Sequence, residues 1–247
     1  MSTLLIRNAR YVVSCDDADT LYHDANLYIE DGVIRSIGPV LHPADQTIDA
    51  THMAVYPGLI NTHHHLYQLF SRNLPEVQSM ELFPWLVTLY DKWKDLDEEV
   101  VSLSALTGLG ELLKNGCTTC FDHHYVFPRG SGDLIAAQFR AAATAGIRFH
   151  ASRGSMDLSQ KDGGLPPDSV VQTIDEIMED SYRLVRVWHD DSPYSMRQVA
   201  LAPCSPFSVS GDLLRESAAL ARELGVRLHT HLAETRDEEE FTLAKFG

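Results

Sequence analysis

Apolar residues alternate or cluster with a strand-like period over Leu4–Ser14 and Leu27–Ser36, and Glu30-Asp31-Gly32-Val33 has the composition of a hairpin turn. Residues 1–54 are therefore expected to form a small β unit, part of a composite β-sandwich. From there the period changes. Short apolar runs near Val55–Asn61, Thr118–Asp122, Arg148–Ser152, Val199–Ala202 and Arg227–Thr230 read as strands, and amphipathic stretches separate them. Helices are expected at Glu98–Asn115, Gly132–Ala145, roughly Ser169–Asp190 and Asp212–Leu224. Gly116, Gly146 and Gly225 stand just beyond three of these, where a left-handed residue closes a helix.

Repeated βα units with apolar strands imply an α/β fold with a parallel sheet. An open doubly wound sheet would give the same alternation, but no glycine-rich phosphate loop follows any strand, which favours a closed (β/α)8 barrel of the TIM type. About five of the eight units such a barrel needs can be traced in residues 55–247. The sequence stops inside what reads as the helix after the fifth strand, so a carboxyl-terminal truncation is expected.

Two histidine pairs add chemistry to this scaffold. His63 and His65 follow the first strand of the alternating region, and side chains two apart on a strand share a face, so their imidazoles can converge on one ion while His64 points the other way. The carboxyl ends of strands are where barrel enzymes keep their active sites. A solvated histidine loop is the bland alternative. Val226-Arg227-Leu228-His229-Thr230-His231 ends in a second such pair, followed by Glu234. Glu234, three after His231, shares its site only if the strand has ended and the backbone turns. His229 reads as a hydrogen-bonded core histidine.

Composition narrows the partners. Lys and Arg total 20 against 35 Asp and Glu, a formal charge of −15, which repels a phosphate backbone and argues against duplex nucleic acid and anionic membranes. A free base or similar heterocycle remains open. No apolar run approaches the ~20 residues that span a bilayer, and the amino terminus has no signal-like pattern, so a cytoplasmic protein is expected. Cys15, Cys117, Cys120 and Cys204 suit reduced thiols, and Cys117-Thr118-Thr119-Cys120 begins a strand, not the helix a redox motif needs.

Pro57-Gly58-Leu59-Ile60-Asn61-Thr62-His63-His64-His65 and His231-Leu232-Ala233-Glu234 resemble the two histidine signatures of the amidohydrolase superfamily, in particular its deaminase branch. Leu82-Phe83-Pro84-Trp85-Leu86, Asp122-His123-His124-Tyr125 and Ala202-Pro203-Cys204-Ser205-Pro206-Phe207-Ser208 look closest to the 8-oxoguanine deaminases within it. The resemblance implies one divalent metal, Zn2+ with Fe2+ or Mn2+ as competitors, held by His63, His65 and His231, with a further histidine and an aspartate from later strands. It implies that Glu234 carries protons and that Gln68 contacts the base, where an ordinary loop amide is the alternative. The reaction implied is hydrolytic loss of an amino group from a purine-like heterocycle, 8-oxoguanine giving urate and ammonia, in a cytoplasmic homo-oligomer.

Trp85 and His123 are expected in loops after the first two barrel strands, where an indole could stack on a flat ring and an imidazole could bond it; loop packing is the alternative for both. Cys204 either lines the pocket or fills the barrel core. Asp237-Glu238-Glu239-Glu240 reads as a solvated helix start. The other zinc deaminase architecture needs Pro-Cys-x-x-Cys, and Pro203-Cys204 is followed by Phe207 in the second cysteine's place. A pterin or guanine deaminase or a triazine hydrolase would share the metal site and differ in the loops. Hydrolases that open cyclic amides are disfavoured, because Ala202-Pro203-Cys204-Ser205 stands where their bridging lysine belongs. A non-catalytic metal-binding fragment is the alternative of a different class.

Overall fold

A computed structural model describes residues 2–247, which divide into two units, Met1–Gly58 and Leu59–Gly247. The first is a five-stranded sheet. Strands β1 (Thr3–Val13), β2 (Leu21–Glu30) and β3 (Val33–Gly38) run antiparallel, and β4 (Gln46–Asp49) and β5 (Ala54–Val55) lie parallel to β1. Asp31 and Gly32 both have positive φ, 48° and 77°, as a two-residue hairpin loop requires, so the expected turn forms between β2 and β3. Ala9, Val12, Ala25, Leu27 and Ala50 make its core. Residues 2–58 thus form one sheet.

The second unit is parallel α/β. Strands β6 (Leu59–His64), β7 (Cys117–Asp122), β8 (Arg148–Ser155) and β9 (Arg197–Pro203) pair in chain order, with α1 (Leu82–Trp93) and α2 (Glu98–Lys114), α3 (Leu134–Ala145) and α4 (Ile174–Trp188) in the successive crossovers. Two more helices follow, α5 (Gly211–Leu224) and α6 (Arg236–Phe246). Gly116, Gly146 and Gly225 adopt φ of 80°, 73° and 70°, the left-handed ends anticipated for α2, α3 and α5. Helix α4 starts later than expected because Thr173 and Glu176 form a capping box there. All four cysteines are free, and Cys117 and Cys120 lie on β7. No helix among the described residues is long and apolar enough to cross a membrane.

Three expectations are corrected. The apolar run Val55–Asn61 is not one buried strand: Val55 pairs with β1, Leu59 onward pairs with β7, and Leu59 and Ile60 are 63% and 67% exposed. Pro57, which has no N–H to give a ladder, stands at the break. Arg227–Thr230 does not form a full strand but follows the end of β9 through one bridge, Leu201 to Leu228, with Leu201 donating to the Arg227 carbonyl and His229 to that of Leu201. Trp85 stands on helix α1 and not in a loop. Pro84 is in its first turn, where a missing N–H costs nothing, and Leu86, Leu89, Tyr90 and Trp93 give the buried stripe.

Candidate metal centre and active site

The site lies at the carboxyl ends of the parallel strands, above a cluster that includes Tyr67, Tyr90, Trp93, Tyr125, Met156 and Phe207. The strand period puts His63 and His65 together at the tip of β6, with their Nε2 atoms 3.1 Å apart. His231 arrives from beyond β9 and places its Nε2 3.1 Å from that of His65. Two backbone carbonyls set the ring orientations. His65 donates from Nδ1 to the carbonyl of His123 at 2.7 Å, and His231 donates from Nδ1 to that of Cys204 at 2.9 Å.

That arrangement has a chemical consequence. A carbonyl only accepts, so each Nδ1 carries the proton, and the Nε2 of a neutral ring is then a bare lone pair. Burial keeps both rings neutral, pushing His65 down to about 3 and His231 down to about 4. Two lone pairs 3.1 Å apart cannot hydrogen-bond each other; a cation between them satisfies both. Three imidazole nitrogens at about 2.0–2.1 Å from a tetrahedral ion stand about 3.3–3.4 Å from one another. His63, His65 and His231 form one set that could hold an ion, His63, His123 and His229 form a second that shares His63, and His64 is in neither.

His229 and His123 sit against the same cluster. His229 is partly exposed and not a core residue, and its Nε2 lies 3.0 Å from His63 Nδ1. His123 is fully buried, stacks on His231 with ring centroids 4.3 Å apart, and has both ring nitrogens without partners. Its ring lies against His231 and its carbonyl accepts from His65, and it does not border the cavity beside them.

That cavity, of about 170 Å³, is walled by His65 and His231 and by Gln68, Trp85, Cys204 and Glu234, all expected at the site. An open cleft of about 450 Å³ continues past Gln68, Trp85 and His63. Ala233 has φ 56°, so the backbone does turn after His231 and brings Glu234 back to the same cavity. Partial burial and the nearby Glu238 charge raise the Glu234 pKa. Burial also pushes the Cys204 thiol up to about 12, which leaves it protonated and inert.

Three contributors were not anticipated. Tyr125 borders the cavity, and Gln68 Nε2 donates to the hydroxyls of Tyr125 and Tyr67, each at 3.3 Å. Glycine is required at position 154 for Tyr125 to lie where it does, since a Cβ there would collide with the His124 carbonyl and with Tyr125. Glu238 overturns the solvated reading of the acidic run: it is 2% exposed, and its carboxylate accepts from the N–H groups of Ala233 and Glu234 at 2.9 and 2.7 Å. The spacing Thr235-x-x-Glu238, that of a capping box, was the available signal.

Residues 54–247 match the amidohydrolase family. The chain is 44% identical over its whole length to the 8-oxoguanine deaminase of Pseudomonas aeruginosa and covers 55% of that protein. It is 37% identical, again over its whole length, to the hydroxydechloroatrazine ethylaminohydrolase of Pseudomonas sp. strain ADP, covering 54% of it. Among solved structures it matches atrazine chlorohydrolase from Arthrobacter aurescens TC1 complexed with zinc, with a TM-score of 0.89 and 31% identity over 98% of this chain and 55% of that one. The chain spans about half the length of the curated relatives it matches.

Proposed function

This chain belongs to the amidohydrolase family, and on that footing we propose that the full-length protein is a metal-dependent hydrolytic deaminase acting on 8-oxoguanine. The observation that carries the reading is the lone-pair contact of His65 with His231 at the wall of a cavity that Glu234 also borders. The 44% identity to an 8-oxoguanine deaminase supports the choice of substrate. The charge of −15 suits a free base over a nucleic acid.

His63, His65 and His231 would hold the ion through ring nitrogens; zinc suits such a set, and Fe2+ and Mn2+ compete for it. When bound, the ion supplies hydroxide at neutral pH, lowering the pKa of water from about 15.7 to about 7. The carbonyls of His123 and Cys204 keep the imidazoles turned toward it, as ligand-orienting groups do elsewhere. Glu234 would take one proton from the water and deliver it to the ring nitrogen beside the amino-bearing carbon, then take the second from the newly added hydroxyl and pass it to the departing amine. The water oxygen stays on that carbon, the exocyclic C–N bond breaks, ammonia leaves, and 8-oxoguanine becomes urate. Gln68 supplies an amide for the ring's polar edge and Trp85 a flat apolar face. Closure of the βα units into a barrel belongs to the same reading.

The test is ammonia release by the full-length, metal-loaded protein from 8-oxoguanine, guanine, isoxanthopterin and an aminotriazine, compared by kcat/KM. 8-Oxoguanine is expected to lead, because a pocket built around its extra carbonyl leaves its own polar groups unpaired with an analogue that lacks it. A lead of about tenfold by another substrate, roughly 1.4 kcal/mol in transition-state binding, would replace the substrate and keep the chemistry. Release of ammonia from none of them would end the deaminase reading.

A further inference from the structure

The first turn of α6 departs from the usual way a helix begins. Thr235 occupies the cap position and Glu238 the third helical position, the arrangement in which the two side chains ordinarily cap each other's backbone. Here Thr235 makes no side-chain cap, and its hydroxyl is buried without a partner. The Glu238 carboxylate reaches further back, one oxygen to the N–H of Ala233 at 2.9 Å and the other to the N–H of Glu234 at 2.7 Å. Ala233 is held at φ 56°, a conformation that a residue with a Cβ adopts only when its surroundings impose it. The same turn is anchored elsewhere: Asp237 Oδ2 accepts from the N–H of Phe83 at 3.2 Å, at the start of the helix that carries Trp85.

We propose that Glu238 is a positioning residue for Glu234, its two carboxylate oxygens clamping consecutive backbone N–H groups so that the turn after His231 aims Glu234 into the cavity. This rests on the proton-carrying role proposed for Glu234. A carboxylate is the side chain suited to the task, because it offers two equivalent acceptors at the spacing of two consecutive amides and no donor that would oppose either. The helix amino terminus favours negative charge at that place, which offsets part of the cost of burying it.

The experiment is a double-mutant cycle in the full-length, metal-loaded protein. Glu238→Gln keeps the shape but leaves one acceptor oxygen, so one N–H loses its partner and the turn loosens. The expected result is a fall in kcat of about tenfold or more with KM within about threefold, the split of a group that acts on the chemical step and not on binding. Metal content should stay at the parental level. In a Glu234→Gln background the same change should lower the residual rate by less than about twofold, because a group that acts only through Glu234 has nothing left to position. Equal losses in both backgrounds would reveal a general structural role and overturn the proposal, as would an unchanged kcat in the single variant. If Glu238→Gln does not fold, Glu238→Asp, which keeps the charge but withdraws the oxygens by one methylene, goes through the same cycle with the same criteria. Near-normal turnover by Glu234→Gln alone would instead remove the proton carrier, and this inference with it.

Discussion

Asp122 ends β7 with no exposure, and both its oxygens are used: Oδ1 accepts from the N–H of Leu66 at 2.6 Å, directly after His65, and Oδ2 accepts from Gln138 Nε2 at 2.5 Å. Burial pushes its pKa up from 3.8 to about 7 against the pull of those two hydrogen bonds. The folded value lies above the unfolded one, so the folded state holds the proton more tightly. The stability linked to this proton is full below about pH 3.8 and is lost as pH rises through about 7. Integrated over the two values, keeping the group buried costs about 2 kcal/mol at pH 5.5 and about 4 kcal/mol at pH 8, a loss of about 2 kcal/mol between them.

Asp122→Asn removes the titration and keeps the shape. The new amide oxygen can still accept from Leu66. Gln138 Oε1 is buried without a partner, so turning that amide over presents Oε1 to the new NH2 group and preserves the second bond. The variant should therefore gain on the parent by about 2 kcal/mol as pH rises from 5.5 to 8, measured by urea unfolding of both proteins at the two pH values. Metal content should not change, since the bond that fixes the chain after His65 survives. A stability gap independent of pH, or a variant less stable than the parent at pH 8, would refute the argument that Asp122 is held near its own titration point.

His231→Ala and His63→Ala should each abolish metal retention and turnover, because two imidazoles leave the ion short of the nitrogens this site supplies; full metal occupancy in either variant would remove that residue from the ligand set. Glu234→Gln should keep the metal and lose roughly 10²- to 10⁴-fold in kcat, the contribution of a general acid/base group, as read from steady-state rates beside metal analysis.

The parts of the site legible in the sequence are those fixed by local geometry. A two-residue period puts His63 beside His65 whatever the rest of the chain does, and glycines mark the helix ends because few other residues tolerate φ near +70°. Position in the chain also brings Gln68, Trp85, Cys204 and Glu234 to one cavity, since the first three follow strands of one parallel sheet and Glu234 follows the segment bridged to its edge. Where the fold decides, the pattern fell short. Pro84 reads as a loop residue until the turn around it is known to be the first of a helix. Glu238 looks identical to its exposed neighbours Glu239 and Glu240, and only the packing of α6 takes it out of water.

The orientation of the histidines belongs to this second class for a specific reason. His65 is aimed by the carbonyl of His123 and His231 by that of Cys204, and every residue carries a carbonyl, so no side-chain pattern could mark these two. What selects them is register. His64 pairs with Asp122 across β6 and β7, and the His123 N–H donates back to the His64 carbonyl at 2.7 Å, which sets the His123 carbonyl opposite His65. His231 donates its own N–H to Cys204 at 2.9 Å, so the carbonyl that receives its ring also receives its backbone. The sheet ladder is thereby continued into the ligand shell. A shift of one residue in either pairing would turn a lone pair away from the neighbouring imidazoles without changing a single side chain, and the convergence of the rings is set by strand pairing as much as by the histidines.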